Sequence, residues 1–257
     1  MTQVAQERSI PASLRFVWLN AWFWTIAPLV TIVYVIGAAA WVVLYLAVTR
    51  DRRKTQRVIR RSISHYGEII LKCPWPLVQV KYVDYAPDEA PPFVFVSNHR
   101  SSSDGFLMAC LPFECVQVLN IWPTRIPVLG LIAKLAGYLS PREMPFEDYL
   151  QAGSKLLAQG CSIIAFPEGT RSGSRALGQF HGSTFRVAMH NHVKIVPLAI
   201  SGNENIPKRG SAWLNPGRVV VSKLPAVLPD RFAEMTPFKV KTMVREMIRQ
   251  HLEKQAA

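Results

Sequence analysis

The residues from Phe16 to Thr49 form a run of 34 residues without a charged side chain. A membrane-spanning helix needs about 20 residues, whereas a helix of this length rises roughly 50 Å, more than a hydrocarbon core of about 30 Å. Pro28 lies a third of the way along and can break or kink a helix. We therefore expect either a short helix, a bend at Pro28 and one tilted span, or a two-helix hairpin in a single leaflet. The run is too long for the apolar part of a cleaved signal peptide, which is about 7–15 residues.

A strongly basic stretch follows the apolar run. Seven arginines and lysines lie between Arg50 and Arg61, with Asp51 as the one acidic residue among them. Positive charge beside an apolar segment indicates its cytoplasmic side and favours contact with anionic lipid. We therefore predict a membrane-anchoring segment with a basic juxtamembrane run over residues 1–61 and a separate folded domain over residues 62–257.

The overall composition agrees with a protein that contacts membrane lipids. Hydrophobic residues make up 49% of the chain, charged residues make up 18%, and the formal net charge is +13. A surface with this much positive charge suits an anionic partner, which can be nucleic acid, an anionic membrane or an anionic substrate. We expect no nucleic-acid partner, because the basic stretch adjoins a membrane segment and no helix-turn-helix or RNA-binding signature follows it. The four cysteines show neither a paired motif nor the spacing of a zinc site, so we expect no bound metal.

Beyond residue 62, short apolar strands alternate with helical patterns. The predicted strands are Leu77–Tyr85, Phe93–Ser97, Cys115–Leu119, Cys161–Phe166, Ile195–Ser201 and Val219–Ser222. The predicted helices are Pro127–Leu135, Phe146–Gln159 and a last helix that begins at Thr236 and Pro237. Such alternation predicts an α/β domain, whose loops at the strand ends are available for chemistry.

A histidine and an aspartate stand five residues apart where the second predicted strand ends. Residues five apart lie about 140° from each other on a helix, so His99 and Asp104 can face each other only if the chain turns. A loop followed by a helix that begins at Ser103 or Asp104 would fold the carboxylate back toward the imidazole. A carboxylate on one ring nitrogen leaves the other nitrogen as a base, and the nucleophile would then belong to the substrate. The alternative is an aspartate that caps a helix beside a surface histidine.

A second polar motif, FPEGTRS from Phe166 to Ser172, also follows a short apolar strand. Its glycine permits unusual backbone angles. An arginine beside hydroxyl side chains suits a phosphate, which accepts a two-pronged guanidinium contact. The spacing alone also fits a structural turn with a surface ion pair.

Together the two motifs resemble those of the glycerolipid acyltransferases, and within them the 1-acyl-sn-glycerol-3-phosphate (lysophosphatidate) acyltransferases of bacterial inner membranes. Asn98–Asp104 is similar to the NHxxxxD block of that family, and Phe166–Ser172 matches its FPEGTRS block. The stretch Ile126–Arg142 resembles the block between them, and Ile195–Ile200 resembles the fourth block. The resemblance implies a glycerol-3-phosphate acyltransferase-like α/β domain, with a mixed sheet flanked by helices and an N-terminal membrane helix or helical hairpin before it.

The resemblance also implies roles for particular residues. His99 would be the general base and Asp104 would hold it, while an acyl chain passes directly from acyl-CoA or acyl carrier protein to a lipid hydroxyl. The implied acceptor-binding residues are Arg142, Glu168, Gly169, Thr170 and Arg171, and the implied donor-binding residues are Val196 and Pro197. No metal or bound cofactor is implied. The family places the enzyme in the cell inner membrane, with its catalytic domain facing the cytoplasm.

The sequence departs from the family pattern near the implied acceptor site. The stretch before Ile126 carries Arg125 but not the usual lysine, Pro141 replaces an aspartate, and His181 stands where a lysine is usual. Another lyso-lipid, or a specialised lipid head group, therefore stays open as the acceptor. His181 is either part of the site or a surface histidine. Two alternatives of another class are a catalytically silent lipid-binding protein and a metal-dependent hydrolase.

Overall fold

The computed structural model describes residues 12–120, 127–169, 177–204, 206–207 and 210–256. Its first helix, α1 (Ala12–Thr49), is long and apolar enough to cross a membrane. The predicted apolar N-terminal helix is thus confirmed, and it continues through Pro28 without a break, while the bend expected at that residue stays a prediction. Proline removes one backbone donor, and the long helical stretches on both sides keep the remaining helical hydrogen bonds.

The chain then reverses, and a second helix returns along the first. Arg50 has a φ of 52°, and α2 (Arg52–Lys72) packs against α1. The hydroxyl groups of Thr31 and Tyr66 lie 2.7 Å apart across this contact. A helical hairpin therefore forms, but its second arm is the basic stretch and its continuation rather than half of the apolar run.

Not every basic side chain of α2 points toward a lipid surface. Arg60 is buried, pairs with Glu114 at 2.7 Å and donates a hydrogen bond of 3.2 Å to the carbonyl of Ala136. Arg57 pairs with the same carboxylate at 3.0 Å. The expectation that the whole stretch serves anionic lipid is therefore wrong for Arg60, which ties α2 to the folded domain. The helix also runs without a break through residues 61 and 62, where we drew the domain boundary.

The described strands form one six-stranded sheet with the order β1-β6-β5-β2-β4-β3. These strands are β1 (Val78–Asp84), β2 (Val94–Ser97), β3 (Cys115–Gln117), β4 (Ser162–Ala165), β5 (Ile195–Ser201) and β6 (Gly217–Lys223). Strands β5, β2, β4 and β3 run parallel, whereas β6 runs antiparallel to β5 and pairs in parallel with β1. The carboxyl ends of the four parallel strands therefore meet at one edge, which we call the catalytic edge.

Helices cover both faces of the sheet. They are α3 (Asp104–Leu107), α4 (Pro127–Ala136), α5 (Phe146–Ala158), α6 (Ser183–His190), α7 (Pro229–Phe232) and α8 (Pro237–Ala256). Along β2, Val94 and Val96 pack with residues of α5, α6 and α8, while Phe95 packs on the other face with residues of α1 and α2. This alternation buries both faces, as expected for a central strand. The predicted fold class, a mixed sheet flanked by helices behind an apolar N-terminal helix, is confirmed.

Candidate active site

His99 and Asp104 face each other at the catalytic edge. Strand β2 ends at Ser97, Asp104 begins α3, and the turn between them brings His99 Nδ1 within 2.7 Å of Asp104 Oδ2. The carboxylate is completely buried, while 23% of the imidazole side chain is exposed. A carboxylate on Nδ1 sets the tautomer with the lone pair on Nε2 and stabilises the imidazolium. The predicted contact is thus present, and the role of His99 as general base stays a prediction.

The carboxylate of Asp104 has further partners that fix its orientation. Oδ2 also accepts backbone hydrogen bonds from Arg100 at 2.7 Å and from Ser101 at 2.9 Å. Oδ1 accepts a hydrogen bond from the side-chain amide of Asn203, which lies 99 residues away in sequence. A buried carboxylate needs such partners. We did not predict Asn203, although it follows the predicted strand Ile195–Ser201 at the edge where the motif residues converge.

The asparagine of the first motif joins two strands. Asn98 is fully buried, and its amide donates to the carbonyl of Ile200 at 2.9 Å while its carbonyl accepts from the N–H of Ile200 at 2.8 Å. Both polar atoms of the side chain are thus used to link the end of β2 to β5. This link sets where the loop of residues 98–103, which we call the catalytic loop because it carries the predicted base His99, leaves the sheet.

Glu168 supports the loop that carries His99. One carboxylate oxygen accepts the backbone N–H of His99 at 2.8 Å, and the other accepts the backbone N–H of Gly178 at 2.8 Å. Arg245 on α8 in turn donates to the carbonyls of Gly178 at 2.8 Å and Leu177 at 2.6 Å. The acceptor-binding role that we assigned to Glu168 stays a prediction, and its described contacts are to backbone.

Gly169, Arg142 and His181 lie together beside Glu168. Gly169 has a φ of 69°, and a Cβ added there would lie 3.2 Å from the His181 ring and 3.8 Å from Arg142 Nη2. Both the backbone angle and the crowding require glycine. His181 is an exposed histidine whose ring adjoins the motif glycine and stands near Arg142, so both readings of this residue stay open.

The remaining residues of the predicted motifs and of the implied donor site do not all lie beside His99. The ring of Phe166, the first residue of the second motif, is 4.7 Å from the His99 ring, centroid to centroid. Val196 and Pro197 are buried in β5 opposite Phe95 and Val96, short of the catalytic edge, and their donor-binding role stays a prediction. Thr170 and Arg171 lie outside the described residues, so their roles also stay predictions.

Within the described ranges, no group of three or more His, Cys, Asp and Glu side chains is arranged to hold a metal ion. The thiols are poor nucleophiles in the folded protein. Burial raises the pKa of Cys110 to about 12 and that of Cys161 to about 11. Both therefore stay protonated at neutral pH.

The geometry therefore places a histidine held by a buried carboxylate at the ends of the parallel strands. Residues 77–201 match the acyltransferase family. This part of the chain therefore carries an acyltransferase domain, and the predicted resemblance is confirmed.

Named relatives lie in the same family. A chloroplastic 1-acyl-sn-glycerol-3-phosphate acyltransferase of Arabidopsis thaliana is 32% identical over 183 residues, which are 67% of this chain and 49% of the relative. The alpha form of that enzyme from Mus musculus is 31% identical over 58% of this chain and 54% of the relative. The chain thus spans about half the length of the curated relatives it matches.

A solved structure shares the fold of nearly the whole chain. The 1-acyl-sn-glycerophosphate acyltransferase PlsC of Thermotoga maritima superposes with a TM-score of 0.74 and covers 95% of this chain and 98% of its own. The sequence identity is 22%. The N-terminal helices are therefore part of the shared architecture.

Proposed function

We propose that this protein is a membrane-bound O-acyltransferase that moves a fatty acyl chain from a thioester to the hydroxyl of a lyso-glycerophospholipid. The observation that carries the proposal is the 2.7 Å contact between His99 Nδ1 and the buried carboxylate of Asp104 at the catalytic edge. Such a pair serves to remove a proton from a hydroxyl.

The chemistry follows from the two side chains. Nε2 of His99 takes the proton of the acceptor hydroxyl as its oxygen attacks the carbonyl carbon of the thioester. The tetrahedral intermediate then breaks its carbon–sulfur bond, and the imidazolium returns a proton to the leaving thiolate. Asp104 stabilises the imidazolium between these steps. No acyl-enzyme forms in this scheme, in agreement with the raised pKa values of the buried thiols.

We propose 1-acyl-sn-glycerol-3-phosphate as the acceptor, which would give phosphatidate. Arg142 beside Gly169 supports an anionic head group, because a guanidinium binds phosphate through paired hydrogen bonds. The names of the relatives from Arabidopsis thaliana and Mus musculus support the same acceptor. Arg171 and Thr170 of the second motif would complete the head-group site. A lyso-lipid with another head group is the alternative, because His181 replaces the usual lysine.

The donor and the location belong to the same proposal. Acyl-CoA or acyl carrier protein would supply the thioester, with no metal or resident cofactor. Helix α1 would hold the protein in the cell inner membrane, and the basic residues at the start of α2 would place the folded domain on the cytoplasmic side.

The test is acyl transfer by the purified full-length protein in lipid vesicles. Acyl-CoA and acyl carrier protein thioesters are each supplied with lysophosphatidate, with other lyso-phospholipids and with a neutral monoacylglycerol, and the products are identified by mass spectrometry. We expect phosphatidate as the main product and a loss of about 10²–10⁴-fold in His99→Ala. His190→Ala, which changes an exposed histidine at the end of α6, is the matched control. The absence of turnover with every acceptor would favour a silent lipid-binding protein.

A further inference from the structure

The segment between β5 and β6, residues 202–216, contacts the catalytic loop, although its own residues belong to neither sequence motif. The structure describes Gly202–Glu204, 206–207 and 210–216 of this segment, which we call the β5–β6 connection. Asn203 is fully buried and donates to Asp104 Oδ1, the oxygen that His99 does not contact. Gly202 has a φ of 84°, and a Cβ there would lie 2.1 Å from the carbonyl oxygen of Arg218. The backbone can therefore turn toward Asp104 only with glycine at this position.

Two further contacts attach the β5–β6 connection to the catalytic loop. The carboxylate of Glu204 pairs with the buried guanidinium of Arg100, the residue after the catalytic histidine. The carbonyl of Ile206 accepts hydrogen bonds from the hydroxyls of Ser101 at 3.2 Å and Ser103 at 3.3 Å. A displacement of the connection would therefore move the partners of the whole loop.

The far end of the β5–β6 connection is held by α1. The side-chain amide of Asn20 donates to the carbonyl of Leu214 at 3.2 Å and accepts from the N–H of the same residue at 2.8 Å. The indole of Trp24 donates to the carbonyl of Ala212 at 2.9 Å. The connection is thus bound at one end to the catalytic carboxylate and at the other to the apolar helix.

Asn20 stands out within α1. It lies in the run of 34 residues that carries no charge, and it is 1% exposed. An unpaired amide among apolar groups costs free energy, so a buried asparagine in this helix needs the partners that it has. Beside it, the rings of Phe16 and Trp213 stack with their centroids 5.5 Å apart. The polar and apolar contacts therefore define one docking position of α1 on the connection.

We propose that Asn20 is a positioning residue for acyl transfer, through which the apolar helix α1 fixes the β5–β6 connection and thereby the hydrogen bond from Asn203 to Asp104. The inference rests on the proposed function of His99 and Asp104. When α1 is docked, Asn203 holds one oxygen of Asp104 and leaves the other aimed at His99. When the docking is lost, the carboxylate loses this restraint and the tautomer of His99 is less firmly set.

The first test compares two substitutions in α1 of the full-length protein in vesicles. Asn20→Leu removes both hydrogen bonds to Leu214 and keeps a side chain of similar size, whereas Thr25→Ala removes a hydroxyl that bonds within α1 to Ala21. We expect kcat to fall about tenfold in Asn20→Leu, with the KM of both substrates unchanged, and to stay at the wild-type value in Thr25→Ala. An unchanged kcat in Asn20→Leu overturns the proposal.

The second test asks whether Asn20 acts through Asn203. Asn203→Ala and Asn20→Leu are measured alone and together. If the β5–β6 connection links them, the double variant is about as slow as the slower single variant, because the second substitution removes a restraint already lost. If the two losses multiply, the residues act independently and the proposal is wrong. Trp24→Phe, which removes only the bond to Ala212, replaces Asn20→Leu if that variant does not fold, with a smaller expected loss of about threefold.

The third test separates this inference from the proposed function, because it does not require turnover. Hydrogen exchange is followed by mass spectrometry in the peptide with the N–H groups of Arg100 and Ser101, which bond Asp104. We expect faster exchange there in Asn20→Leu than in the wild type or Thr25→Ala. If exchange is faster in Asn20→Leu but the wild type is inactive on every lipid, the coupling is retained and the proposed acyltransferase activity is rejected. Unchanged exchange in Asn20→Leu, with an active wild type, would overturn the coupling alone.

Discussion

Glu168 accepts a hydrogen bond of 2.8 Å from the backbone N–H of His99, so the second sequence motif holds the first in place. Its other carboxylate oxygen binds the N–H of Gly178. The side chain is buried and forms a bridge between two backbone segments. The spacing of the motifs in sequence gives no sign of this bridge, which arises because β4 lies beside β2 in the sheet.

We predict that Glu168→Gln lowers kcat about ten- to a hundredfold and leaves the acceptor KM near its wild-type value. The amide can accept one of the two backbone N–H groups but directs its own N–H₂ at the other, and a hydrogen bond to a charged group contributes about 1.5–3 kcal/mol. Steady-state kinetics in vesicles measure both constants, with Glu147→Gln on the exposed surface of α5 as the control. A raised acceptor KM at unchanged kcat would instead support the acceptor-binding role predicted for Glu168.

We predict that Arg142→Ala raises the KM for lysophosphatidate about ten- to a hundredfold and changes the KM for acyl-CoA much less. A guanidinium beside the motif glycine is placed to bind an anionic head group, and the substitution removes its charged hydrogen bonds. The comparison includes a neutral monoacylglycerol, on which the substitution should have little effect. Arg186→Ala serves as the control, because its guanidinium lies over the ring of Phe146. A larger effect on the donor KM would move Arg142 to the thioester site.

We predict that the exposed Arg52 and Arg53 of α2 affect activity on lipid vesicles, whereas the buried Arg60 affects the stability of the protein. Replacing the exposed Arg52 and Arg53 with glutamine should lower activity more on anionic vesicles than on neutral ones, and salt should narrow the difference. Arg60→Gln should lower the free energy of unfolding by about 1–3 kcal/mol whatever the lipid, because it removes the hydrogen bonds of a buried guanidinium while Arg57 still pairs with Glu114. Thermal melts and vesicle assays separate the two effects. A lipid-dependent effect of Arg60→Gln without loss of stability would contradict the assignment.

We predict that Cys110 and Cys161 resist iodoacetamide at pH 8 and that treated enzyme keeps its activity. Burial raises the pKa of these thiols to about 12 and about 11, so the reactive thiolates are scarce. The pKa values of both thiols in the folded protein lie above the unfolded value of about 8.5. Their contribution to the stability of the folded protein is therefore present below pH 8.5 and is lost as the pH rises toward 11 and 12. Peptide mass spectrometry of native and denatured samples gives the labelling. Rapid labelling of Cys161 together with loss of turnover would point to a cysteine nucleophile.

The catalytic pair could be predicted because its information is local. A strand that ends at Ser97 and a residue suited to begin a helix at Asp104 force the turn that brings the carboxylate to His99. The strands were predictable for the same reason, since their apolar runs are short and separated by turn residues. Their alternation with helical patterns predicted an α/β domain, whereas the mixed sheet flanked by helices was implied by the family resemblance.

The remaining parts of the site depend on contacts between distant segments. Asn203 and Arg245 reach the catalytic loop and its support only after the sheet and α8 have formed, and neither residue belongs to a recognised motif. The sequence of the basic stretch does not distinguish a side chain that faces lipid from one that, like Arg60, pairs with the carboxylate of Glu114. Pro28 can break a helix, yet α1 continues through it without a break.

The late position of Arg245 in the chain has a consequence for biosynthesis. Helix α1 leaves the ribosome well before α8, which supplies the side chain that holds Gly178 and Leu177 in place. At a synthesis rate of about 5–20 residues per second, the apolar helix has seconds in which to meet a bilayer before the support of Glu168 is complete. If the proposed function holds, α1 reaches a bilayer before the support of the predicted base is assembled. Such an order would keep the proposed enzyme inactive until it has reached its lipid.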